Sequence, residues 1–141
     1  MNREIKFRGM DANGIMRYGR LSQDKPDTTA YYSEYSQRIC WDNSNIPVSN
    51  KTLSQYTGLK DKNGKEIYEG DVLEFWTFSA TGNAVKNVSY VKEDGGIYVV
   101  PMLYHTNSYY LCDAIWISNK LEKGVFVIGN IYENPELITN L

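Results

Sequence analysis

Gln55-Tyr56-Thr57-Gly58-Leu59-Lys60-Asp61-Lys62-Asn63-Gly64-Lys65-Glu66-Ile67-Tyr68-Glu69-Gly70-Asp71-Val72 is the stretch on which the reading of this chain turns. Leu53 to Leu59 reads as extended chain. Asp61-Lys62-Asn63-Gly64 then sets an Asn-Gly pair between extended flanks, and Asn-Gly tolerates the positive φ that a tight hairpin turn needs. Ile67-Tyr68 is a short strand, and Glu69-Gly70-Asp71 is a tight bend. Val72 to Phe78 alternates with period two: Leu73, Phe75 and Thr77 face one way, and Val72, Glu74, Trp76 and Phe78 the other. A turn, a bend and a longer strand within so short a span indicate β structure.

Towards the C-terminus the same grammar continues. Lys86 to Lys92 and Ile97 to Leu103 read as strands joined through Asp94-Gly95-Gly96. Leu111 to Ser118 reads as a further strand, because Ile115, Trp116 and Ile117 are poor surface-helix residues; a short helix is the alternative. Gly124 to Tyr132 is an apolar strand, and Asn134-Pro135-Glu136 has the form of a helix start with Asn as N-cap. Towards the N-terminus, residues 3 to 21 read as a hairpin whose Asn13-Gly14 suits a type I′ turn. Residues 22 to 29 are a loop by composition, residues 30 to 42 hold a Tyr-rich strand, and the polar stretch 43 to 51 is a candidate boundary. The expected organisation is an N-terminal β-hairpin subdomain over residues 1–50 and a second subdomain over residues 51–141. Short strands at roughly 8–12-residue spacing with Gly turns suggest a small barrel or sandwich.

Composition agrees with one modest, mainly β chain. Its 141 residues carry 15 Lys and Arg against 17 Asp and Glu, a formal charge of −2, with 42% hydrophobic residues. That balance argues against a general nucleic-acid coat or a polybasic membrane protein, and against wholesale disorder. Tyrosine is unusually frequent, at 12 residues. No apolar run is long enough for a membrane helix, and the charged N-terminus lacks the apolar region of a secretory signal, so a cytoplasmic location is expected. In that compartment Cys40 and Cys112 are expected as small buried hydrophobes rather than a disulfide. The single histidine, His105, reads as a surface-loop residue. With no Cys pair at zinc spacing and no phosphate-loop or nucleophile-elbow motif, no catalytic residue, cofactor or metal site is expected.

The opening stretch strongly resembles the signature of the YopX-like family of bacteriophage and prophage proteins. Two further segments are similar to family motifs: Arg3-Glu4-Ile5-Lys6-Phe7-Arg8 to its opening, and Val127-Ile128-Gly129-Asn130-Ile131-Tyr132-Glu133-Asn134-Pro135-Glu136-Leu137 to its close. Residues 22 to 50 and 79 to 123 match no motif, and Met10 stands where the family often has an aromatic residue. The resemblance implies a mainly β protein with a short C-terminal helix, whose C-terminal part is related to SH3-like small β-barrels. It carries no catalytic residue over. Most signature positions read as structural: glycines at turns, and Asp61 and Asp71 bonding nearby backbone N–H groups.

Three groups of residues suggest function. Lys6, Arg8, Arg17, Tyr18 and Arg20 place cations beside an aromatic ring on a hairpin, a pattern suited to nucleic acid if Ile5 and Phe7 face inward and the basic residues outward. Tyr31, Tyr32 and Tyr35, with Tyr109 and Tyr110, suit a protein interface or a homo-oligomer contact, because tyrosine gives large contact area at low entropic cost. Asp61, Glu66, Glu69 and Asp71 could hold Mg²⁺ for a hydrolase if they converged. The leading expectation is a non-enzymatic module of phage or prophage origin that binds a host or phage protein. A nucleic-acid-binding accessory factor is the second reading, and a metal-dependent hydrolase a distant third.

Overall fold

The computed structural model describes residues 4–22, 34–35, 37–41, 44–102 and 108–139. The chain divides into two compact units, Met1–Tyr56 and Thr57–Leu141.

In the first unit, β1 (Phe7–Met10), β2 (Met16–Leu21), β3 (Gln37–Trp41) and β4 (Ser44–Val48) are joined by the start of β5 (Ser54–Lys60). Their order is β4-β3-β2-β1-β5, with every pairing antiparallel. Ser44–Val48, read from composition as part of a polar connector, is a strand because β3 offers it a full ladder from Gln37 to Trp41. The sheet curls. Ser49 N–H, just beyond β4, donates to the carbonyl of Met10 at the end of β1 (2.7 Å). Gly9 permits that approach, since a Cβ there would sit 2.8 Å from the Cβ of Val48. Val48 and Ile39 are wholly buried in the resulting hollow.

The first hairpin closes differently from a two-residue type I′ turn. Asp11 N–H donates to Ile15 O and Gly14 N–H to Asp11 O, so three residues form the loop. Only Gly14 takes positive φ (76°), the pattern of a type I turn followed by a left-handed bulge. The Asp11 carboxylate accounts for the choice: its Oδ1 accepts from the N–H groups of Asn13 and Ile15 and holds the longer loop.

In the second unit, β5 continues beside β6 (Glu66–Tyr68), followed by β7 (Asp71–Phe78), β8 (Ala84–Tyr90), β9 (Lys92–Asp94) and β10 (Ile97–Pro101). Then come β11 (Ser108–Tyr110), α1 (Leu111–Lys120), β12 (Phe126–Asn130) and α2 (Glu136–Thr139). Two three-stranded antiparallel sheets form, ordered β12-β7-β8 and β11-β10-β9. No sheet closes on itself among the described residues. Leu73 and Phe75 on β7, Val100 on β10, Leu111 and Ala114 on α1, and Val125 meet in one core. Each of these side chains other than that of Ala114 contributes about 1.5–3 kcal/mol when fully buried.

Residues 111–120 form a helix, not a strand. The buried positions Leu111, Ala114 and Ser118 fall at helical spacing and face β7 and β10, while Trp116 points outward at 62% exposure. One apolar stripe against a sheet outweighs the strand preference of Ile115-Trp116-Ile117. Asp113 in the first turn and Lys120 in the last suit the helix dipole. At the C-terminus, the side-chain carbonyl of Asn134 reaches back to Asn130 N–H (3.2 Å). Both cysteines are free, but Cys112 is exposed on α1 and Cys40 only half-buried, so neither is the buried hydrophobe its compartment suggested. His105 lies outside the described residues.

Candidate functional site

The hairpin does not present its basic residues as one outward face. Arg8 stands opposite Tyr18 on β2 and Ser54 on β5, so all three share a side of the sheet. Arg8 is buried between them at 3% exposure, and its Nε donates to Ser54 Oγ (3.1 Å). Ile5 is the exposed residue, at 65%. Arg8 therefore does not face solvent as expected, because neighbours on both adjoining strands cover it. Lys6 pairs with Glu4 (3.3 Å) and sits 5.9 Å from the centroid of the Tyr56 ring. Arg17 Nε donates to Asp11 Oδ2 (2.8 Å). Two N–H bonds, that from Ile15 foremost, hold the Asp11 carboxyl below the usual carboxylate range, with Arg17 adding to the effect. Tyr18 and Arg20 remain exposed.

Two of the four carboxylates in the acidic segment, Asp61 and Asp71, are held by backbone N–H groups. Asp61 Oδ1 accepts from Asn63 and Lys65 N–H, and its Oδ2 from Val127 N–H (3.0 Å) on β12. Asp71, 1% exposed, accepts from Tyr68 N–H (2.8 Å). Among the described residues no three His, Cys, Asp or Glu side chains stand where they could hold a metal ion. Nor does any buried side-chain nitrogen or oxygen lack a hydrogen bond among them. The signature therefore builds a joint: its turn is tied to the closing motif by the Asp61–Val127 bond.

Of the tyrosines, Tyr31 and Tyr32 lie outside the described residues, and Tyr35 is half-buried. Tyr109 and Tyr110 fall on the edge strand β11 and split: Tyr109 packs against the core, and Tyr110 is 52% exposed. Tyr109 lines an open groove of about 630 Å³ with Thr77, Phe78, Val85, Asn87 and Met102 among its walls. Thr77 and Val85 are cross-strand partners on the core-facing side of the β7–β8 hairpin, where that side runs on past the core. Asn87 Nδ2 donates to Thr77 Oγ1 (2.9 Å) and to Val85 O (3.1 Å), fixing the floor. Phe78 and Val85 stay 53% and 41% exposed.

Sequence reasoning missed how α1 is fastened to β7 on this unit. The Ser118 hydroxyl of α1 accepts from Trp76 N–H (2.9 Å) and donates to Trp76 O (3.1 Å), fastening helix to strand beyond the end of the β12 ladder. Lys123 Nζ lies 4.9 Å from the Trp76 ring centroid, and Lys120 Nζ 4.9 Å from that of Trp116. Of these contacts only that of Trp116 with Lys120, four residues apart on α1, had a local signal in the sequence.

A mainly β chain whose motif residues serve backbone joints is the class that fold and site define. The family model described as "YopX protein" matches residues 6–139. The chain belongs to the YopX family. A comparison with curated proteins gives no significant match. Among solved structures, protein EF1440 from Enterococcus faecalis is similar, with 24% identity and a TM-score of 0.53 over 97% of this chain and 99% of that one. At that identity the likeness speaks for the fold.

Proposed function

We propose that this chain is a non-enzymatic binding module of a phage or prophage, working in the host cytoplasm, that docks a partner protein in the groove beside β8. The exposed apolar side chain of Val85, on the groove side of the β7–β8 hairpin, carries the reading, with Phe78 at the end of β7 also lining the groove. Both project from a hairpin whose floor is already fixed by Asn87, so they are presented rather than loosely placed. A partner would cover the two side chains with apolar groups of its own, as an anchor filling a pocket does. Asn87 occupies the Val85 carbonyl, which favours docking by side chains over addition of a strand at that point. The second unit is read as an opened relative of SH3-like barrels, supported by its short antiparallel strands around one core.

The test is site-specific crosslinking in host cells, with a photoreactive residue replacing Phe78 or, as a control, Ile97. The reading expects one protein attached at position 78, not at 97, and lost when Val85→Glu is added to a chain that remains folded. Equal labelling at both positions, or labelling indifferent to Val85→Glu, would overturn it.

A further inference from the structure

We infer, on the docking reading above, that the groove beside β8 takes a tyrosine side chain of the partner protein, its phenol hydroxyl held between Thr77 and Asn87.

Thr77 and Asn87 form the floor as a pair. The Val85 carbonyl can only accept, so its bond from Asn87 (3.1 Å) settles which end of the amide carries the nitrogen. The same Nδ2 donates to Thr77 Oγ1 (2.9 Å). With both Nδ2 hydrogens in use, Asn87 Oδ1 is the open end of the amide, and it accepts from no described residue. Thr77 has a matching group to offer. It is only 6% exposed, its oxygen accepts from Asn87, and its hydroxyl hydrogen goes to no described residue. A nearly buried donor and an acceptor thus stand side by side on neighbouring strands, and both line the groove.

The walls select the occupant by elimination. None of the described residues lining the groove carries a charge, so a Lys, Arg, Asp or Glu side chain would lose its water there without gaining a counter-charge. Leu, Ile, Val or Phe would cover Val85 and Phe78 but would take water from Thr77 and Asn87 and bond neither. Ser, Thr, Asn or Gln could bond both polar groups but would bring little apolar surface to Phe78, Val85 and Met102. A tryptophan N–H can donate to Asn87 but accepts nothing from Thr77. A phenol meets every demand. Its hydroxyl donates to Asn87 Oδ1 and accepts from Thr77 Oγ1, while its ring lies against Val85, Phe78 and the Met102 sulphur. Thr77 and Asn87 therefore set the choice, and Val85 and Phe78 supply contact area without discriminating.

N-acetyl-tyrosinamide and N-acetyl-phenylalaninamide, which differ only in the hydroxyl, are the probes. Each is titrated into the nitrogen-15-labelled full chain, and NMR follows the Thr77 and Val85 amides and the Asn87 side-chain NH2. The tyrosinamide should bind about fivefold more tightly, the worth of one ordinary hydrogen bond. Thr77→Val, which keeps the shape of the side chain, should bring the two probes within about twofold of each other. Ile97→Ala, outside the groove, should keep the preference. Circular dichroism checks that each variant is folded. Equal binding of the two probes, no binding of either, shifts confined to residues outside the groove, or a preference that survives in folded Thr77→Val would overturn the inference. The two readings fail separately. One protein still crosslinked at position 78 without a preference for tyrosinamide overturns this inference and leaves docking standing, whereas the preference without that crosslink overturns the docking reading.

Discussion

Asp11-Ala12-Asn13-Gly14-Ile15 and Asp61-Lys62-Asn63-Gly64-Lys65 are two versions of one turn, one in each unit. In both, the Asp carboxylate accepts from the N–H groups two and four residues on, at 2.9 to 3.0 Å. In both, the glycine N–H bonds back to the Asp carbonyl (3.0 Å) and the glycine takes a left-handed φ, 76° and 82°. They part at the second carboxylate oxygen. That of Asp11 takes the Arg17 guanidinium six residues away, and that of Asp61 takes the Val127 N–H sixty-six residues away. A locally satisfied turn shapes its own hairpin. A turn with one long-range bond also fixes the strand that ends the chain's core.

The comparison can be broken most directly at the two aspartates. Asp61→Ala strips three backbone N–H groups of their acceptor, one of them on a core strand, and should cost about 3 kcal/mol in urea unfolding. Asp11→Ala should cost clearly less, because its long-range share is nil. Equal losses would mean that the Val127 bond adds nothing. The next effect is on pH. Asp11 has its carboxyl lowered in the folded state, so it adds stability above the ordinary value of 3.8, and that stability is lost as pH falls from there through the lowered value. Asp11→Asn should therefore narrow the gap between unfolding midpoints at pH 6 and pH 3; an unchanged gap would show that the carboxylate bonds are not coupled to folding. The smallest effect should be the most alike. Gly14→Ala and Gly64→Ala meet almost open space, so each should cost only the left-handed backbone penalty, about 1 kcal/mol. A large difference between them would show that the turns are not equivalent after all.

The β7 alternation, the glycine turns and the mainly β character could be read from the chain, because each is written within a few adjacent residues. The helix over 111–120 was obscured by its run Ile115-Trp116-Ile117, which favours strand unless a sheet lies beside it to receive Leu111, Ala114 and Ser118. The burial of Arg8 was not legible either. It depends on Tyr18 and Ser54 on the two flanking strands, and a single strand's alternation does not record what covers its neighbours. Tyr109 was singled out for its residue type, but Thr77, Phe78 and Val85 join it only through a hairpin and an edge strand. The bond between Ser118 and the Trp76 backbone stayed hidden for the same reason: the two residues are forty-two apart.

The reach of the Asp61 carboxylate also sets an order of events. During synthesis the first turn has all its partners once Arg17 has been made. The second must wait for Val127, sixty-six residues after Asp61, and a contact that spans so much sequence pays its loop-closure entropy late. The N-terminal turn can thus form while the ribosome is still adding the second unit, and the signature turn tightens only after Val127 has been made. Asp61→Ala should accordingly speed unfolding far more than it slows folding, a difference that stopped-flow refolding would measure directly.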